Sequence, residues 1–249
     1  ADDHVLLEAL EAVGTTLDAG ADITLTQPND IGTGNITLQA MNSAGTAAAA
    51  GAITYTSAGN IAADTIQTTA NVTLSAPTGA ITQVGGAGTG IQAAGLAVTA
   101  QSITLNATDL GASLNAFSAL SVTASGAGTS DIRTQAVGGL TLSLVNAPAG
   151  TLDITNDTGA VNATSLITAN TLNVSAAGGI TLSNAGNLIT ALGLTNATSG
   201  DITILNGQAL AIPGIAQTGG GTSITTAGDL TFGGVVNAGP EASKTLTEL

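Results

Sequence analysis

The chain has 249 residues and a formal net charge of −14, from 16 acidic residues against two bases, Arg133 and Lys244. So few cations exclude the basic surface that nucleic acid, anionic membranes or acidic polysaccharides require, and no apolar run is long enough to cross a membrane as a helix. The absence of cysteine excludes disulfide staples and thiolate metal sites, and three aromatic residues, Tyr55, Phe117 and Phe232, are too few for an ordinary globular core of this size.

Residues 1–20 fit no repeat. In HVLLEALEAV (4–13), Val5, Leu6, Ala9, Leu10 and Val13 share a helical face behind a possible Asp2 or Asp3 cap, while HVLLEAL also reads as a first strand. No signal peptide is visible, and Ala1-Asp2-Asp3 reads as a processed terminus or a cut from something longer. From residue 21 short alternations begin. ADITLTQ (21–27) and GNITLQA (34–40) are strands separated by a turn at Pro28-Asn29-Asp30, and the alanine run 47–50 is a tight corner or a loop. GAITYTSAG (51–59), ANVTLSA (70–76), GAITQVGG (79–86) and GLAVTAQSITLNA (95–107) continue the pattern. FSALSVTAS (117–125), SDIRTQA (130–136), GGLTLSLVNA (138–147) and GTLDITN (150–156) follow.

The stretch 166–238 is the most regular. Leu172, Leu192, Leu210 and Leu230 are spaced by 20, 18 and 20, and Ile180, Ile202 and Ile224 by 22 and 22. Period-two alternation bounded by Gly, Asn or Asp, repeated at a fixed interval near 20, is the signature of a solenoid with one coil per repeat. Gly and Asn at the corners are expected to supply the positive-φ turns. One coil cannot bury its apolar face, but a stack can, and the regular Ile, Leu and Val argue against disorder. The fold class is therefore all-β, a parallel β-helix of about 20 residues per coil, wound to the right because parallel crossovers prefer that hand. The expected organisation is an irregular N-terminal coil or cap (1–20), a β-helix repeat domain (21–239) and a C-terminal cap or linker (240–249). In the last, Pro240 cannot donate to a ladder, although Leu246 and Leu249 suit one more strand.

GAITQVGG…GLAVTA, TLNVSAAGGITLSNAGNLITALG and TTAGDLTFGGVVNA resemble the repeat region of filamentous-haemagglutinin-type exoproteins, the two-partner-secreted or autotransported bacterial adhesins. The resemblance spans residues 21–238. It implies a right-handed parallel β-helix secreted to the surface of a Gram-negative cell. Pro28-Asn29-Asp30 is at best an echo of the Asn-Pro-Asn motifs of the family's secretion domain, no Arg-Gly-Asp occurs, and no receptor-binding activity transfers to any residue here.

Among chemistry-bearing residues, Asp22, Asp201 and Asp229 open strands; they suit either a stacked carboxylate row for Ca²⁺ or, the favoured reading, side-chain bonds to nearby backbone. Asp153 with Asp157, or Asp131 with Asp153, are the carboxyl pairs that glycoside hydrolysis would use. With His4 the only histidine, Arg133 solitary and no aromatic platforms to spare, catalysis is not expected. The sequons at Asn35, Asn71, Asn106 and Asn173 fall partly within strands and are expected by chance in such a composition. The pairs Thr24/Thr26 and Thr54/Thr56 resemble ice-binding solenoids but do not persist as a motif. No catalytic, cofactor or metal residue is assigned. The expected role is a non-catalytic extracellular rod, the shaft or stalk of a large bacterial surface adhesin. The alternative is a subunit of a filament or sheath built end to end. Its partners are neighbouring β-helix segments or copies of itself.

Overall fold

A computed structural model describes residues 52–238 except 58, 64–65, 84–89, 110–111, 114 and 197, together with five outlying strands, Val5–Leu7, Thr15–Thr16, Ile23–Thr26, Ile36–Gln39 and Lys244–Glu248. The chain forms an all-β, right-handed parallel solenoid with about 21 residues per turn, about eight turns of it within residues 52–238, and the outlying strands add rungs at both ends. Two long lanes of parallel strands run along it. The first climbs from Val5–Leu7 through Ile23–Thr26, Ile53–Thr56, residues 71–76, residues 95–100 and Ala119–Ala124 to residues 140–142. It continues through Val161–Ala163, Ile180–Leu182, Ile202–Asn206 and Thr222–Thr226 to Lys244–Glu248. The second climbs from Thr15–Thr16 and Ile36–Gln39 through Ile61–Ala63, residues 80–83 and residues 102–105 to Thr129–Thr134. It then takes in residues 151–156, 171–176 and 191–196, Ile215–Gln217 and Val236–Ala238. Shorter ladders fill the remaining side: Ile66–Gln67 with Ile91–Gln92, then residues 145–147 with 167–169 and 188–189, and, in a third lane higher up, Leu210–Ile212 with Leu230–Phe232.

Alternation decides which side chains face inward. In residues 171–176 Leu172, Val174 and Ala176 are buried and the residues between them half-buried, because successive side chains leave a strand on opposite faces. Parallel register then puts like on like: Leu152, Leu172 and Leu192 stack in one column, and Ile154, Val174, Leu194 and Ile215 in the next. The sequence spacing misplaces two columns. Ile202 stacks on Ile180, but its partner above is Thr222, and Ile224 sits over Ile204. Leu210 does not sit over Leu192; Ala191 pairs with Ala211, and Leu194 with Ile215. Spacing alone cannot see these shifts, since the corners absorb insertions without disturbing a strand's inward face. One such insertion is a bulge at Ser143, whose hydroxyl donates to the Leu120 carbonyl across the irregularity.

Among the described glycines, Gly139, Gly200 and Gly220 take the positive φ expected at corners. Corner asparagines do a further job, turning their amides inward. Asn156, 1 % exposed, accepts from the Ala136 N–H (2.9 Å) and donates to the Ala136 and Ala160 carbonyls (3.1 and 2.9 Å). Asn206 repeats the pattern, accepting from the Ile189 N–H and donating to the Ile189 and Gln208 carbonyls. Asn187 accepts from the Ile167 N–H and donates to the Leu205 carbonyl. Each amide stands in for a piece of strand where the backbone leaves one lane for the next, satisfying groups that burial would otherwise orphan.

Val5–Leu7 pairs in register with residues 23–25, so that part of the 4–13 segment is strand; residues 4 and 8–13 lie outside the described residues. So do the expected turn at Pro28-Asn29-Asp30, the alanine run 47–50 and residues 239–243. Lys244–Glu248 adds a strand over Thr222–Thr226. The neighbouring columns of that turn are not covered in the same way: Phe232 is 40 % and Val236 39 % exposed, although Ile212 and Ile215 directly beneath them are buried.

Candidate functional site

A groove of about 880 Å³ lies on the outer face of the second lane. Two outward columns make its floor and wall. One reads Asp131, Asp153, Asn173 and Gly193, each the register partner of the last, and then Gly214 and Val235. The other reads Thr155, Ser175, Thr195, Ala216 and Asn237. The groove is therefore graded along the rod. Its lower end carries two carboxylates on adjacent rungs. Its upper end, where the first column falls to glycine, mixes Pro213, Ala216 and Val235 with Thr195 and Asn237.

The carboxylates are positioned by amides. Asn106 Nδ2 donates to Asp131 Oδ2 (2.6 Å) from the rung below, and Asn173 Nδ2 donates to Asp153 Oδ1 (2.7 Å) from the rung above. Asn173 holds that pose because its Oδ1 lies over Gly193, where a Cβ would collide with it. Asp131 and Asp153 themselves face each other across one strand spacing, on the order of 4.8 Å. Beside them Arg133 Nε lies 2.9 Å from both carboxylate oxygens of Asp157, a half-buried ion pair between neighbouring rungs. That pair was missed in sequence, where Arg133 reads as solitary; a separation of 24 residues becomes a contact only once the turn length is known.

The two carboxyl pairs considered in sequence thus part company. Asp131 and Asp153 are brought together, shoulder to shoulder on one face. Asp157 is engaged by Arg133. Asp201 and Asp229 do not form a row. Asp201 precedes a strand of the first lane and accepts from the Gly221 N–H (2.8 Å), while Asp229 precedes a strand of the third. Among the described residues no group of three or more His, Cys, Asp or Glu is placed to hold a metal ion. His4, Asp22 and Asn35 lie outside the described residues. Asn71, Asn106 and Asn173 are described, and the last two spend their amides on Asp131 and Asp153. The threonine pairs persist further than the motif suggests. Thr54/Thr56 lies beneath Thr73/Ser75, then Ala97/Thr99, then Ser121/Thr123, a run that serine and alanine hide in the sequence.

Chemically the groove offers hydrogen-bond acceptors and negative charge at one end and a mix of aliphatic and polar surface at the other. Tyr55, the single tyrosine, is sealed in the core of the first lane, and burial pushes its phenol pKa far above the ordinary value, the Ser57 hydroxyl opposing only slightly. Compared with family models, curated proteins and solved structures, the chain finds no match.

Proposed function

We propose that the protein is a non-catalytic, extracellular shaft segment of a large surface adhesin of the filamentous-haemagglutinin type, exported from a Gram-negative cell. The observation that carries this reading is the stack of parallel strands. In both long lanes the described strands pair rung on rung, with a register shift at Ser143, and buried corner amides such as Asn156 and Asn206 join one rung to the next. A solenoid of this kind transmits position along its axis, and its length scales with the number of turns rather than the size of a core. The sequence resemblance supplies the surface location. Immunogold labelling of the source cells with antibody to this chain tests it: grains stand outside the outer membrane at a fixed distance. Label confined to the cell interior contradicts it.

A second reading, the subunit of an end-to-end filament, is favoured by one feature. The turn holding Phe232 and Val236 leaves exposed two inward columns whose residues on the turn beneath, Ile212 and Ile215, are buried. An uncovered rung recruits another strand. Sedimentation equilibrium separates the two: a concentration-dependent series of head-to-tail oligomers, abolished by deleting residues 240–249, belongs to the filament, and a monomer indifferent to that deletion belongs to the shaft.

A further inference from the structure

We infer that the graded groove of the second lane is a binding site for an extended basic peptide, with its cationic residues over Asp131 and Asp153 and small apolar residues over Gly193, Gly214 and Val235. The first ground is unneutralised charge. Asp131 and Asp153 occupy adjacent rungs, and the one hydrogen bond each receives comes from a neutral amide on a rung outside the pair, Asn106 below and Asn173 above. The remaining oxygen of each accepts no hydrogen bond among the described residues. The nearest cation, Arg133, is held by Asp157. Two like charges about one strand spacing apart repel, and a lysine or arginine head placed over them relieves that repulsion. The second ground is shape. From Asp131 to Val235 the column climbs five rungs, on the order of 24 Å, the reach of about seven residues of extended chain. The glycines at the upper end remove the side chains that would otherwise hold a backbone off the floor, and Pro213 and Val235 offer apolar contact there. The third ground is exclusion. A neutral glycan would need aromatic platforms, and Tyr55 and Phe117 are buried in the core while Phe232 is not among the groove's lining residues.

The test uses the full chain and a fluorescein-labelled heptapeptide carrying two lysines at one end and alanine and valine at the other, read by anisotropy at low and moderate salt. The expected result is saturable binding that Asp131→Asn with Asp153→Asn weakens at least tenfold. The acceptor that each amide uses survives in those variants, and circular dichroism checks that they fold. Asp201→Asn with Asp229→Asn, acids that do not line the groove, should change affinity less than twofold, which separates a site from the general field of a −14 chain. Equal losses in the two double variants, undiminished binding to the first, no binding at millimolar peptide, or tighter binding of a neutral glucose oligomer would each overturn the inference. None of these outcomes bears on the shaft reading, which does not depend on the groove.

Discussion

Replacing Asn156 by alanine tests the claim that corner asparagines act as surrogate strand. The side chain makes four hydrogen bonds: it accepts from the Ala136 N–H and, at 3.5 Å, from the Thr158 N–H, and donates to the Ala136 and Ala160 carbonyls. Their loss is not uniform. The Ala136 carbonyl still accepts from the Gly139 N–H and the Ala160 carbonyl from the Leu140 N–H, so each keeps a partner. Thr158 is exposed, so its N–H turns to water and only the Ala136 N–H is orphaned. An unsatisfied buried donor costs about 1–3 kcal/mol and each of the two lost but compensated carbonyl bonds about 1 kcal/mol, giving a destabilisation of about 3–5 kcal/mol. Asn196 lies two rungs up the same column and is equally buried, but its Oδ1 accepts no hydrogen bond among the described residues, and its Nδ2 donates once, to the Gly200 carbonyl. Asn196→Ala should therefore cost only about 1 kcal/mol, and the exposed Asn162→Ala less than about 0.5 kcal/mol. Urea unfolding gives the ranking. Because long repeat arrays can unfold in parts, hydrogen exchange at the Ala136 amide supplies a local reading, with protection falling by a factor on the order of a hundred in the Asn156 variant. Equal effects at Asn156 and Asn196, or protection at Ala136 unchanged, would refute the reasoning.

Ile202→Asp or Ile180→Asp buries an unpaired charge in a column with no measurable exposure and should prevent stable folding or shift the urea midpoint by several molar, whereas Ile202→Ala should cost about 2–5 kcal/mol; a midpoint unchanged by either acid would place these residues outside a core. Gly220→Ala combines a φ of +89° with a collision against the Gly200 carbonyl and should lower the melting temperature clearly, while Gly128→Ala, with nothing within 4 Å, should leave it almost unchanged. Tyr55 is the only tyrosine, so absorbance at 295 nm follows it alone. Its folded pKa is raised, so the fold holds a proton the unfolded chain releases, and stability should fall as pH climbs above 10.0, the ordinary phenol value. Tyrosinate should appear together with loss of β-structure; reversible ionisation in the folded protein near pH 10 would contradict the burial.

Much of this architecture is legible in the sequence because the physics is local. An alternation such as that in residues 171–176 determines which side chains point inward, and turn residues mark where a strand stops. The interval between strands is less informative, because a corner tolerates extra residues that leave both flanking strands intact. Ile224 accordingly stacks on Ile204 and not on Ile202. The same uncertainty hid the groove. Asp131, Asp153 and Asn173 are spaced by 22 and 20, and Gly193 by a further 20, a set that shares one face only when the local turn length is known at each step. The role of the asparagines was hidden for another reason. A corner asparagine at positive φ and one bonded inward have the same sequence, and burial distinguishes them.

The solenoid depends on parallel register between successive turns, and the absence of cysteine allows that register to be measured without background. Thr155 and Ser175 are register partners on adjacent rungs, and Thr195 is the partner of Ser175 one rung further. Adjacent rungs bring Cα atoms to about 4.8 Å, within the range a disulfide spans, and two rungs separate them by about 9.6 Å, beyond it. Under mild oxidation Thr155→Cys with Ser175→Cys should crosslink within the chain nearly completely, and Thr155→Cys with Thr195→Cys should not. Efficient crosslinking of the second pair, or none of the first, would contradict an in-register parallel solenoid.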